Sequence, residues 1–94
     1  MFEISHNEDG LIRLSGRFDA SQVQKAKEIL ERVDGPAVVD FSDLSYISSA
    51  GLGVLFSAQK RLTAGGPGLT LKNLSPHIRE IFSIAGFDRI FEIE

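Results

Sequence analysis

The chain has 94 residues, 43% hydrophobic and 24% charged, which supports one modest core spanning 1–94 but not two. A formal net charge of −3 argues against nucleic acid as a partner, because binding to a phosphate backbone draws on a basic patch that this sequence lacks. With no cysteine there can be no disulfide framework and no thiolate metal site, and a cytosolic setting is expected. The start Met1-Phe2-Glu3-Ile4-Ser5-His6 lacks the basic and apolar segments of a secretory signal, and no apolar run approaches the roughly 20 residues of a spanning helix, so membrane insertion is not expected.

Residues 2–6 alternate apolar and polar, Asn7-Glu8-Asp9-Gly10 supplies turn chemistry, and Leu11-Ile12-Arg13-Leu14 resumes an extended pattern, which together read as a hairpin. Over 20–33 the apolar residues Val23, Ala26, Leu30 and Val33 recur at helical spacing, and Asp34-Gly35-Pro36 closes that helix. Ala37-Val38-Val39-Asp40-Phe41 is nearly continuous in apolar character, the pattern of a mid-sheet strand covered on both faces. A turn over 41–49 would lead into a second helix at 50–62, with Leu52, Leu55, Phe56, Gln59 and Leu62 along one side and a glycine-rich break at 64–68.

Residues 69–73 form the next strand. Ser75 and Pro76 then open a helix as N-cap and first-turn proline, with Ile78, Ile81, Phe82 and Ala85 as its apolar stripe and Gly86 as its end. The alternation of 89–93 reads as a last strand. The predicted order is β-β-α-β-α-β-α-β, an α/β fold in which a mixed central sheet carries its helices on one face.

The informative motif is Ser48-Ser49-Ala50-Gly51-Leu52-Gly53, at the expected start of the second helix. A helix N-terminus has unpaired N–H groups and the positive end of the macrodipole, so it tolerates an anion, including a phosphoryl group on a side chain. Ser48 and Ser49 are each also competent N-caps, and Ala50, Gly51 and Gly53 present little bulk to a visitor. Ser57, Lys60 and Arg61 on the exposed side of the same helix are candidate partner contacts. His6 and His77 lie in different elements without a ligand set, so neither a metal nor a cofactor is expected. Ser49 is not in a Gly-x-Ser-x-Gly elbow, so the chain is not expected to be an enzyme.

The stretch from Val38 to Gly53, with Gly16-Arg17-Phe18-Asp19-Ala20 before it and Gly68-Leu69-Thr70-Leu71, Ser75-Pro76 and Ile84-Ala85-Gly86-Phe87 after it, resembles the STAS domain family, particularly bacterial anti-sigma factor antagonists. The resemblance implies that Ser49, two residues before Gly51, is the phosphorylated serine, with Asp19 and Asp40 bordering the same site. It also implies a partner, an anti-sigma factor that is a serine kinase with a histidine-kinase-like ATPase fold, and a serine phosphatase that resets the switch. Ser48 stands where the family commonly has Asp, which leaves two adjacent hydroxyls as candidate acceptors. That departure favours a second expectation, a constitutive STAS subunit of a lipid ABC transporter or of a stress-sensing assembly.

Overall fold

A computed structural model describes residues 1–94 and gives five strands and three helices in the predicted order: β1 (Glu3–His6), β2 (Leu11–Phe18), α1 (Val23–Leu30), β3 (Ala37–Ile47), α2 (Ser49–Thr63), β4 (Leu69–Lys72), α3 (Pro76–Ile84) and β5 (Glu92–Ile93). The sheet order is β1-β2-β3-β4-β5, with β1 antiparallel to β2 and every later pair parallel. Each parallel crossover advances one strand in the same direction, so right-handed connections put all three helices on one face.

That single layer corrects the expectation that β3 is covered on both faces. Val39 and Phe41 are buried against the helices, whereas Val38 is half-buried, in register with Leu11 and Thr70 on the helix-free face. The near-continuous apolar run at the start of β3 therefore reflects its central place between β2 and β4 rather than a second helical layer.

The second correction concerns β3 itself, which runs on to Ile47 where a turn over 41–49 was expected. Its buried residues Phe41, Leu44 and Ile47 are three apart, a spacing that a regular pleat cannot keep on one face. Two register shifts against β2 resolve this. Between the pairs Arg13↔Asp40 and Ser15↔Asp43, and again between Gly16↔Leu44 and Arg17↔Tyr46, β3 carries one extra residue, a β-bulge each time. Opposite these bulges, Gly16 has a φ of +83°, and a Cβ there would fall 1.6 Å from the Met1 carbonyl oxygen, so only glycine fits.

Helix α1 is shorter than the predicted 20–33, because Ala20–Gln22 form a 3-10 turn capped by the Asp19 side chain and the helix ends at Leu30. The guanidinium of Arg61 donates to the carbonyls of Leu30 and Val33, at 2.8 Å each, and so closes that end. The last strand is likewise cut to Glu92–Ile93, since Phe87–Arg89 form another 3-10 turn. Phe87 and Phe91 there join Phe82, with centroids 6.2 and 5.8 Å from its ring, and Phe82 meets Phe41 edge-on at 5.7 Å. Ala85, expected on the apolar stripe, is the C-cap of α3 and is exposed: Ile78 and Phe82 are the buried residues of the helix, and the chain turns away at Gly86.

Candidate functional site

The carboxyl end of β3 delivers the chain into α2 without a loop. Ile47 is buried, Ser48 is extended at φ −87° and ψ 169°, and Ser49 is the first helical residue. Three polar atoms of Ser48 are committed. Its N–H donates to the Phe18 carbonyl at 2.9 Å, its carbonyl accepts from Leu52 N–H at 2.9 Å, and its hydroxyl accepts from Gly51 N–H at 3.1 Å. Ser48 is thus the N-cap, half-buried, whereas Ser49 is exposed and takes no part in the cap. The two hydroxyls that were equivalent in sequence have different jobs in the fold.

Phe18 is the floor of this site. It has no exposed surface, it stacks on Phe2 at 4.6 Å, and a Cβ on Gly51 would stand 3.1 Å from its ring and 3.0 Å from Ile47. Gly51 therefore lets the first turn of α2 sit directly on the sheet. Gly53 differs: a Cβ there would meet nothing within 4 Å. Ala50, Gly53 and Ser57 instead line an open groove of about 480 Å³ between α1 and α2, opposite Val23 and Lys27.

Asp19 follows Phe18, so the Phe18–Ser48 bond brings it to the rim of the site. Hydrogen bonds from the Ser21 hydroxyl and the Ser21 N–H hold its carboxyl below the ordinary aspartate value, with Arg17 adding a smaller contribution. Arg17 lies 4.3 Å above the centroid of the Tyr46 ring, on the strand pair leading into the site.

Asp40 is not there. It faces Arg13, while Ile47 faces Phe18, and these partners are five positions apart along β2, which at about 3.3 Å per position puts Asp40 about 17 Å from the end of β3. Its carboxylate instead accepts from Ser42 N–H and from the Asn73 amide, at 3.0 Å each. Burial raises its pKa, but the Asn73 and Ser42 hydrogen bonds and the nearby Lys72 outweigh this and leave it below the ordinary value. Asn73 reaches it from a left-handed backbone, φ +62°, just after β4. The family resemblance implied that Asp40 borders the same site as Ser49; the length of β3 sets it apart.

Arg61 is also reassigned, since its guanidinium caps α1 rather than standing free for a partner. Gln59 is the residue whose role the sequence reading missed. Only 5% exposed, it accepts from Leu69 N–H at 2.7 Å and donates to the Ile90 carbonyl at 2.9 Å, tying α2 to β4 and to the segment before β5. The signal was present: an amide inside the stripe Leu52, Leu55, Leu62 has to find partners when buried.

No helix is long and apolar enough to cross a membrane. The bulged parallel strand, the helix seated on it through Gly51 and the exposed serine at its start define a one-layer α/β module with an exposed hydroxyl at a strand-to-helix junction. The family model described as "Mlab, STAS domain" matches residues 2–92, and the chain belongs to the STAS family. A STAS-domain-containing protein of Pseudomonas aeruginosa is 32% identical over 85 residues, covering 87% of this chain and 84% of that one. The anti-sigma-B factor antagonist of Listeria monocytogenes is 37% identical over 87 residues, covering 88% and 76%. The fold is that of the anti-sigma factor antagonist SpoIIAA, whose unphosphorylated structure superposes with a TM-score of 0.74 at 20% identity, covering 100% of this chain and 88% of that one. Its phosphorylated Bacillus form gives 0.71 at 20% identity, covering 100% and 91%.

Proposed function

We propose that the chain is an anti-sigma factor antagonist controlled by phosphorylation of Ser49. In the unmodified state the surface around Ser49, Ala50, Gly53 and Ser57, with Asp19 at its rim, binds a cognate anti-sigma factor. That partner is a serine kinase with a histidine-kinase-like ATPase fold, and its capture releases the sigma factor. Phosphorylation of Ser49 by the kinase reverses the binding, and a serine phosphatase restores it. The protein is a binding module in this scheme and its partner is the enzyme.

The observation that carries the reading is the exposure of Ser49 at the start of α2 while Ser48 holds the cap. A phosphoryl group adds roughly −1.5 to −2 charges near pH 7, and here it would add them close to Asp19, at the end of a groove whose α2 side is made of the small residues Ala50, Gly53 and Ser57. Support also comes from the Listeria relative named an antagonist of anti-sigma-B factor and from a like fold known in a phosphorylated form. The test is calorimetry with the cognate kinase. Ser49→Ala should bind as the wild type does and take up no phosphate, and Ser49→Asp should lose most of the affinity.

A second reading, a constitutive subunit of a lipid ABC transporter or stress-sensing assembly, is favoured by the uncharged cap at Ser48. It requires that Ser49→Asp leave partner binding unchanged, so the same titration decides between the two.

A further inference from the structure

Ser48 and Ser49 are adjacent and chemically alike, and a kinase acting on this junction has to distinguish them. Backbone geometry does so. Ser48 has its N–H on the Phe18 carbonyl, its carbonyl on Leu52 N–H and its hydroxyl on Gly51 N–H, and is half-buried. Ser49, one residue on, has entered the helix and is exposed.

Resting on the proposed phosphorylation of this site, we infer that Ser48 is a positioning residue that selects the phosphoacceptor: its cap withholds its own hydroxyl and fixes the first turn of α2 so that Ser49 alone is presented. In the reaction, the Ser49 Oγ forms a bond to the γ-phosphorus of ATP as the bond from that phosphorus to the bridging oxygen of ADP breaks, and the hydroxyl proton leaves to a base of the kinase. Ser48 does not touch the reacting atoms. Its contribution is to hold the turn that carries them, and the feature it supplies is an acceptor for Gly51 N–H rather than a hydroxyl as such. Asn or Asp supplies such an acceptor equally well and Ala does not.

The experiment compares wild type, Ser48→Ala, Ser48→Asn and Ser49→Ala, expressed in the native host and analysed by peptide mass spectrometry for the site and rate of phosphate uptake. Hydrogen exchange of the Gly51 amide is measured on the same proteins. Wild type and Ser48→Asn should be modified at Ser49 at similar rates, and Ser49→Ala should take up no phosphate at Ser48. Ser48→Ala should be modified about two- to fivefold more slowly, in line with the typical strength of one N-cap, with Gly51 exchange accelerated in the same variant and restored in Ser48→Asn. Phosphate on Ser48 in the wild type or in Ser49→Ala overturns the inference, as does an unchanged rate in Ser48→Ala or a failure of Ser48→Asn to rescue it. Absence of phosphate from both serines of the wild type overturns the switch itself, and this inference with it.

Discussion

The amide of Ser48 donates to the carbonyl of Phe18 at 2.9 Å, one bond that joins the end of β3 to the end of β2 at the point where both strands leave the sheet. Phe18 turns next into Asp19 and Ser48 into Ser49, so this bond sets the distance between the acid and the exposed hydroxyl. The ring of the same Phe18 lies under Gly51, and a single buried residue therefore supports the site through both its backbone and its side chain.

The cap on α2 is separable from the exposed serine by stability. Ser48→Ala should lower the unfolding free energy in urea by about 1 kcal/mol, the usual cost of an N-cap, while Ser48→Asp stays near the wild type. Ser49→Ala should change it by no more than about 0.5 kcal/mol, as for other surface substitutions.

The two glycines of the motif should respond in opposite directions. Gly53→Ala places a methyl group where nothing lies within 4 Å, and the better helix propensity of Ala should raise stability by about 0.5–1 kcal/mol. Gly51→Ala drives a methyl to 3.0 Å from Ile47 and 3.1 Å from Phe18, both buried. Overpacking of about 1–3 kcal/mol exceeds the propensity gain, so a thermal melt should show that variant less stable.

Removing the Gln59 amide should be costly despite the apolar surroundings. Gln59→Leu leaves Leu69 N–H and the Ile90 carbonyl without their partner, and the expected loss is about 2–6 kcal/mol, from two orphaned groups at about 1–3 kcal/mol each. Hydrogen exchange at Leu69 N–H should accelerate in step with it.

Asp40 should contribute to acid sensitivity. Its folded pKa lies below the ordinary value, so its ionised form stabilises the fold at pH above that value, and the contribution is lost as pH falls through the depressed folded pKa. The stability difference between wild type and Asp40→Asn should thus be constant from about pH 6 to 8 and shrink steadily below about pH 4, as read from urea unfolding across that range. Partner binding at neutral pH should be the same in both, because Asp40 does not border Ser49.

Element type and order were legible from apolar periodicity and turn residues, and the Ser75-Pro76 helix start is realised as read, with the Ser75 hydroxyl accepting from Ile78 N–H at 3.2 Å. What the sequence concealed were distances set by pairing. The length of β3 depends on two bulges against β2, and a three-residue apolar spacing in Phe41, Leu44 and Ile47 looks like a loop unless those bulges are known. Asp40 was placed near Ser49 by the family resemblance, and only the length of β3 separates the two. Arg61 read as a surface cation because its acceptors, the Leu30 carbonyl at the end of α1 and the Val33 carbonyl just beyond it, are 31 and 28 residues away in the chain. The hydroxyl pair was identified from sequence, but only the backbone path through Ser48 divides the two roles.

Helix α2 is fastened near its far end to three separate segments, through Gln59 to β4 and the stretch before β5, and through Arg61 to the close of α1. A rod moored in that way resists sliding and tilting. On the proposed switch, a message written at Ser49 is then read at the surface where it is written, and a visiting protein comes to that end of the molecule to receive it.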